Sequence, residues 1–253
     1  MTSIVALRCT DGVVIAADSA VTFGGGQIAT IEQHTSQKVR IVGNEIIVAG
    51  TGPTGLMQRF CAAVETAYRE GKFKDLGSGI AVGKLLADIG IRDFQETHLE
   101  KFDFSALVAF SIAGEPFLCE LDGGSGFQPE MKEPVDIWYV SMGVGQSITD
   151  PFLALLNEAF WIEGPPPLRG GIFTALWALK HVCKLNAGGV GDPIRIAVVE
   201  QDMDAAARFL TPAELAEHEN VVEEAMRHLG NFKNILEGRA STELVPSTQA
   251  NLS

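Results

Sequence analysis

The first fifty residues carry four short apolar runs rich in β-branched side chains, a pattern that predicts four strands. The runs are residues 3–8, 13–17, 38–42 and 45–50. Asp11-Gly12 separates the first two runs and predicts a hairpin, because both residues tolerate positive φ. Gly43-Asn44 separates the other two and predicts a second hairpin. Residues 19–36 between the hairpins are polar and contain three consecutive glycines, so they predict a flexible loop.

Helical spacing begins near Thr51, where apolar residues start to recur at four-residue intervals. Further helices are predicted around 82–89, at about 147–163 and at 168–185. Further strands are predicted at 103–112, 115–121, 136–142 and 194–200. The last helix is expected to begin at Thr211, because Thr211-Pro-Ala-Glu214 forms a capping box with proline in the first turn.

This order of elements predicts an α+β fold. Strands joined by tight turns favour antiparallel sheets, and helices that come in pairs argue against a doubly wound parallel sheet. Two antiparallel sheets with helix pairs on both outer faces accommodate the order. We expect one domain over residues 1–236 and a polar, frayed tail over 237–253.

Composition and charge exclude several classes of protein. No apolar run reaches the roughly 18 residues that a membrane span needs. The net charge of −13 makes nucleic acid or an anionic membrane surface a poor partner. The four cysteines are widely spaced and form no CxxC pair, which is typical of reduced thiols and not of a disulfide framework or a zinc site. We therefore expect a cytoplasmic protein without a metal or a cofactor.

The segment Gly50-Thr-Gly52-Pro-Thr-Gly55 matches the GxGxxG pattern of dinucleotide-binding proteins. Pro53 removes one amide that could face a phosphate, and the next predicted element is a second helix where a parallel strand is required. We therefore favour a tight strand-to-helix turn whose amides bind another anion or an oxyanion, with nucleotide binding as the alternative.

The N-terminus offers a different chemistry. Removal of Met1 would leave Thr2 with a hydroxyl nucleophile and a free α-amine as its base. Asp18 ends the second predicted strand, which the hairpin places near Thr2, and Lys38 opens the next strand. A lysine ammonium held near the Thr2 hydroxyl would favour its deprotonation, with Asp18 holding the lysine in place. An ordinary ion pair at the strand ends is the alternative for Asp18 and Lys38.

Several segments resemble the catalytic β-type subunits of the proteasome family. They are Thr2–Arg8, Asp11–Asp18, Ala20–Thr22, Lys38–Val39, Ile46–Gly52, Tyr139–Gly145 and Ile194–Val199. A threonine directly after Met1 resembles the bacterial HslV-type peptidase. The polar C-terminal extension and the net negative charge are more similar to those of the betaproteobacterial proteasome homologue. The ancestral Anbu-type subunit is the alternative.

The resemblance implies an N-terminal nucleophile hydrolase with a four-layer αββα sandwich. It implies a threonine peptidase in which Thr2 is the nucleophile, Asp18 and Lys38 support it, and the Gly52 amide supplies the oxyanion hole. Substrate binding is expected at Thr22, Gly50, Gly52 and Thr54. Since Gly50 and Thr54 flank the site without a positive charge, small or apolar substrate side chains are expected to fit better than acidic ones. Arg40, the nearest basic residue in sequence, is the main challenge to that expectation.

The resemblance also implies a self-compartmentalising homo-oligomer of two stacked rings that degrades peptides or unfolded proteins. Seven-membered rings, hence a tetradecamer, are favoured, with a dodecamer as the alternative. An AAA+ unfoldase partner stays an open alternative, although nothing in the sequence indicates one.

Two segments depart from the family pattern. Gly143-Val144-Gly145 stands where the family has Gly-Ser-Gly, so a supporting serine hydroxyl is lost. The acidic residue and serine expected before the last core strand are not clear in residues 186–191, with Asp192 as an unaligned substitute. The alternative function is therefore a weak or inactive ring subunit that acts as a scaffold or gate. Retention of Met1 would favour it, because the α-amine would then be bound in a peptide bond.

Overall fold

The computed structural model describes residues 2–23, 30–32, 38–98, 103–133, 135, 137–185, 189–201 and 206–239. Within them the strands are β1 (Ser3–Arg8), β2 (Gly12–Ala17), β3 (Val21–Phe23), β4 (Thr30–Glu32), β5 (Val39–Val42), β6 (Ile46–Thr51), β7 (Ser105–Ile112), β8 (Glu115–Asp122), β9 (Gln128–Lys132), β10 (Tyr139–Gly143), β11 (Arg195–Glu200) and β12 (Arg208–Phe209). The helices are α1 (Thr54–Arg69), α2 (Gly79–Gln95), α3 (Gln146–Phe160), α4 (Leu168–Leu185) and α5 (Pro212–Leu236).

Two five-stranded antiparallel sheets form the centre of the fold. The first has the order β10-β1-β2-β11-β12, and the second has the order β5-β6-β7-β8-β9. Side chains alternate along β1: Ile4 and Ala6 pack between the two sheets, and Val5 and Leu7 pack against α3 and α4. The outer face of the second sheet packs on α1 and α2. The result is the four-layer αββα sandwich that the sequence predicted.

The N-terminal hairpin forms, but for a different reason from the one predicted. Neither Asp11 nor Gly12 has a positive φ. Gly12 is required because a Cβ there would lie 2.7 Å from the carbonyl oxygen of Val199 in β11. The Asp11 carboxylate accepts a hydrogen bond of 2.6 Å from the backbone N–H of Leu168 and thereby caps the start of α4. At the second hairpin, Gly43 and Asn44 both have positive φ, as the type I′ turn requires.

Four short strands were missed. The segment predicted as a flexible loop contains β3 and β4, which pair with each other; residues 24–29 and 33–37 lie outside the described residues. β9 and β12 lie at sheet edges and contain few apolar residues, so neither has the apolar run that identifies a strand in the sequence. The predicted boundary between a domain at 1–236 and a tail at 237–253 stays a prediction.

Candidate active site

Thr2 lies at the start of the central strand pair of the first sheet. Its neighbour Ser3 is paired with Gly143 in β10, and Ile4 is paired with Ala17 in β2. Gly143 has a φ of +94°, and a Cβ there would lie 2.1 Å from the carbonyl oxygen of Thr2. Only glycine therefore lets the end of β10 approach the first residues of the chain this closely. Side-chain alternation places Thr2 on the same face as Ile4, towards the second sheet.

Asp18 follows β2 directly and is 1% exposed. Its Oδ1 accepts hydrogen bonds from the backbone N–H of Ser3 at 2.9 Å and from Lys38 Nζ at 2.6 Å. Its Oδ2 accepts from the backbone N–H groups of Ala20 at 3.1 Å and Gly191 at 3.2 Å. These donors stabilise a buried carboxylate and hold the start of β1 beside Lys38.

Lys38 lies directly before β5, at the edge of the second sheet, and is 8% exposed. Burial lowers the pKa of Lys38 below its usual 10.5, and the adjacent Asp18 carboxylate opposes that fall. Its carbonyl oxygen accepts a hydrogen bond from the Gly50 amide at 3.4 Å, which links it to the glycine-rich turn. The ammonium is therefore held against the carboxylate that follows β2, which also binds the residue next to Thr2.

The glycine-rich turn joins β6 to α1, and close contacts require glycine at positions 50 and 52 but not at 55. Gly52 has a φ of +120°, and a Cβ there would lie 2.3 Å from the carbonyl oxygen of Asp103. A Cβ on Gly50 would meet Phe104 and Met57 at less than 3 Å. The second sheet is antiparallel and α1 is followed by α2, so the nucleotide-binding fold that GxGxxG requires is absent from the described residues.

The remaining predicted binding residues lie on different elements. Thr22 lies in β3 and is paired with Ile31 in β4. Gly52 is exposed, and so is Thr54, the first residue of α1. The structure thus joins Asp18, Lys38 and the segment at Thr2 through hydrogen bonds, and it connects Gly50 to them through the backbone of Lys38.

Two residues near Asp18 were missed by the sequence analysis. Gly191 donates to the carboxylate, and its own carbonyl accepts from Ser19. Cys183 in α4 interacts electrostatically with Asp18 and Lys38; burial, reinforced by the negative charges of Asp192 and Asp18, raises its pKa to about 12. Its thiol therefore stays protonated near neutral pH and is a poor nucleophile. No spacing in the sequence connects residues so distant along the chain.

The turn after β10 contains the first departure from the family pattern. Val144 is 48% exposed there. A Cβ on Gly145 would lie 2.4 Å from Ser3 Oγ, a buried hydroxyl without a hydrogen-bond partner among the described residues. Beneath the turn, the buried Thr149 donates to Ser141 Oγ at 2.6 Å, and Ser141 in turn donates to Asp150. These hydroxyls support the β10–α3 junction, which holds Gly143 against Thr2.

No helix among the described residues is both long and apolar enough to cross a membrane. In the same residues, no group of His, Cys, Asp and Glu side chains is arranged to hold a metal ion.

Comparison with known proteins adds a family and a set of similar folds. The family model described as "Proteasome subunit" matches residues 1–152. Anbu, the ancestral beta-subunit from Yersinia bercovieri, superposes with a TM-score of 0.69 at 13% identity, covering 98% of this chain and 99% of its own. The Anbu complex from Pseudomonas aeruginosa, described as a helical assembly, gives 0.66 at 18% identity, with 98% and 99% covered. The Anbu (Gly-1) mutant from Hyphomicrobium sp. strain MC1 gives 0.65 at 15%, with 91% and 97% covered. No curated protein sequence matches the chain.

Proposed function

The chain belongs to the proteasome subunit family, and on that premise we propose that it is a self-compartmentalising threonine peptidase. The observation that carries the proposal is the buried Asp18 carboxylate, whose single oxygen Oδ1 binds both the Ser3 amide and the Lys38 ammonium. This one contact holds the residue after Thr2 and a buried cation in fixed positions beside the chain start. A simple ion pair needs no such link to the residue after Thr2.

The reaction would begin after removal of Met1. The free α-amine of Thr2 takes the proton of its own hydroxyl, and Oγ1 attacks the carbonyl carbon of the substrate. The Gly52 amide donates to the developing oxyanion. Collapse of the intermediate breaks the peptide bond, leaves an ester on Thr2 and gives the proton to the departing amine. Water then hydrolyses the ester and regenerates the hydroxyl.

Lys38 acts through its charge. An ammonium beside the Thr2 hydroxyl stabilises negative charge on Oγ1 and lowers the free energy of the attack. Asp18 is a positioning residue, since it touches Lys38 and the Ser3 amide. Thr22, Gly52 and Thr54 bind an extended substrate through backbone groups, as an added strand does.

We further propose a homo-oligomer that encloses these sites, a tetradecameric double ring. Identical subunits that meet head to tail close into a ring when their rotation closes. The description of the Pseudomonas aeruginosa relative as a helical assembly supports repeated head-to-tail contact between copies of the chain. Closure into a seven-membered ring, instead of an open helix, is the step that we propose beyond that description.

The test is intact-mass spectrometry after incubation with a peptide epoxyketone that reacts with hydroxyl and α-amine together. We expect a chain that lacks Met1 and carries one label. Thr2→Ala should abolish the label, and Thr10→Ala, an exposed threonine in the turn at the far end of β1, should keep it. A chain that retains Met1 and stays unlabelled would support a scaffold or gate subunit instead.

A further inference from the structure

A cavity of about 380 Å³ lies at the C-terminal end of α1, where that helix meets α2 and the second sheet. Its volume is at the lower end of the range for pockets that bind small molecules. The 16 residues of α1 span about 24 Å. The candidate active site lies at the other end of this helix, beside Gly52, so the cavity is separate from the proposed site of cleavage.

The inner wall of the cavity is apolar. Ile46 in β6, Val82 in α2 and Phe110 in β7 line it, and each of them is only 3% exposed. All three belong to the core cluster between the second sheet and its helices. Phe73 and Ile112 add partly buried apolar surface. The cavity therefore offers a ligand a hydrocarbon environment that is continuous with the core.

The end of α1 turns the chain back over one side of the cavity. Gly71 has a φ of +74°, and its N–H donates to the carbonyl of Tyr68 at 2.9 Å. The N–H of Lys72 donates to the carbonyl of Ala67 at 3.0 Å, which completes a Schellman motif. The reversal brings Phe73 back towards Tyr68, with 6.5 Å between the ring centroids. Both rings line the cavity.

Two basic side chains line the cavity together with these rings. Lys74 is exposed and has no ion pair among the described residues. Its Cδ lies 3.5 Å from the position of a Cβ on Gly71, so the side chain folds back over the turn. Arg69 is 69% exposed and lies 3.9 Å from Glu65, and an exposed pair at that distance contributes little. Both cations are therefore available to an anion.

Among the described residues, Glu45 is the one acidic side chain that lines the cavity, and it already has a partner. The Tyr68 hydroxyl donates a hydrogen bond to its carboxylate; burial, reinforced by that carboxylate, raises the pKa of Tyr68 above its usual 10.0. The Tyr68 ring lies against Gly43, where a Cβ would be 2.1 Å from the ring. Glu45 is thus held by Tyr68, and the charges of Arg69 and Lys74 prevail.

We propose that this cavity binds a medium-chain aliphatic carboxylate, with the carboxylate at Arg69 and Lys74 and the hydrocarbon chain against the apolar wall. A planar guanidinium pairs with a carboxylate through two parallel hydrogen bonds, and the lysine adds a point charge. Each methylene that leaves water strengthens binding by about 4-fold. The inference concerns binding alone and does not depend on the proposed peptidase activity.

Calorimetric titration of the whole chain with hexanoate, octanoate, octanol and octylammonium tests both halves of the site. Octanoate should bind on the order of 10-fold more tightly than hexanoate, because two more methylenes leave water. Octanol, which lacks the charge, should bind more weakly than octanoate, and octylammonium should bind most weakly of the three. Equal affinities for octanoate and octylammonium would overturn the inference, and so would the absence of octanoate binding at millimolar concentration.

Arg69→Gln/Lys74→Gln tests the charged half of the site. The affinity for octanoate should fall on the order of 10-fold, to that for octanol, and the affinity for octanol should not change. Both residues are exposed, so the fold does not depend on them. Lys84→Gln, an exposed lysine of α2 that does not line the cavity, should keep the wild-type affinities. A wild-type affinity for octanoate in the double variant would overturn the inference.

Ile112→Trp tests the apolar half. The larger side chain should fill part of the cavity and weaken the binding of octanoate and octanol alike. Thermal unfolding establishes that the variant is folded, and unchanged affinities in the folded variant would contradict the proposal. Octanoate binding that appears only when the assembly is diluted to single subunits would show that a second copy covers the cavity, and the proposal would then be wrong.

Discussion

At Asp18 one carboxylate accepts hydrogen bonds from Ser3, Ala20, Lys38 and Gly191. Three of the four donors are backbone amides, so most of this network does not depend on the identity of the side chains around it. Lys38 is the exception, since its contribution is a charge. Substitution of Lys38 therefore separates the chemical part of the network from its structural part.

Lys38→Ala should lower kcat for a fluorogenic peptide by at least ~100-fold, because the cation that stabilises the attacking oxygen is lost. Lys38→Arg should recover part of the rate. Lys84→Ala, an exposed lysine on α2, serves as the control and should keep the wild-type rate. Near-normal turnover in Lys38→Ala would show that the ion pair is only structural.

The raised pKa values of the buried thiols predict how the free energy of unfolding changes at alkaline pH. Burial raises the pKa of Cys9 and Cys119 to about 12. Because a thiol in the unfolded chain titrates near ~8.5, the unfolded state loses protons that the native state keeps. Stability is therefore full below that pH and falls as the pH rises towards 12, by about 2 kcal/mol per thiol near pH ~10.

Urea unfolding of the wild type and of Cys9→Ala/Cys119→Ala at several pH values tests this dependence. The double variant should be less stable at neutral pH and lose less stability on the alkaline side. Val64→Ala, which leaves a cavity in α1 without a titrating group, should keep the wild-type slope. An unchanged slope in the double variant would exclude the thiols as its cause.

At the scale of elements, the contact between the first hairpin and α4 places the helix layer on the sheet that carries Thr2. Asp11 caps α4 across a long stretch of chain, and Gly12 allows the hairpin to approach β11. Sequence spacing predicted the hairpin correctly. It did not predict the cap, because the helix that Asp11 caps begins more than a hundred residues later.

Asp11→Ala should lower the free energy of unfolding by about 1 kcal/mol, the usual effect of losing a helix cap. Asp11→Asn should retain most of the stability, since its carbonyl oxygen also accepts from Leu168. Asp75→Ala, an exposed aspartate after α1, should change stability by less than about 0.5 kcal/mol. Thermal or urea unfolding measures all three, and equal effects of the two alanine variants would refute the cap.

At the scale of the whole molecule, α5 packs on α4 through its first half, and Val222 is its one buried residue. Its second half exposes apolar side chains at intervals of three or four residues: Met226, Leu229, Phe232 and Leu236. The first half of the helix is acidic, with five glutamates between 214 and 224. Basic residues follow at Arg227, Lys233 and Arg239. An exposed apolar stripe with this charge pattern is suited to a second copy of the same helix.

Leu229→Gln/Phe232→Gln should therefore reduce the mass of the assembly below the roughly 14 subunits expected for the double ring. Light scattering or sedimentation at micromolar concentration measures the mass. Asn231→Gln, on the opposite side of the helix, should leave it unchanged. An unchanged mass in the double variant would exclude this stripe as an interface, and a monomeric wild type would contradict the compartment.

The sequence by itself determined the elements whose signals are local. Short apolar runs rich in β-branched residues identified β1, β2, β5 and β6, and the capping box identified the start of α5. These signals depend on residues only a few positions apart. The order of these elements was sufficient to predict two antiparallel sheets with helix pairs on both outer faces, which is the four-layer sandwich. The resemblance, together with the positions of Thr2, Asp18 and Lys38 at element ends, was sufficient to name a candidate site.

Only the tertiary structure decided what surrounds that site. Gly191 and Cys183 come near Asp18 because two segments that are distant along the chain pack on the first sheet. No local sequence pattern indicates that these residues are close in space. From the sequence, Arg40 was only a neighbour of Lys38. In the structure, alternation along β5 turns it towards α1, where its buried Nε has no hydrogen-bond partner among the described residues. Local spacing specifies the direction of a side chain from its own strand or helix. The partner that it meets depends on which layers pack together, and this is a property of the whole fold.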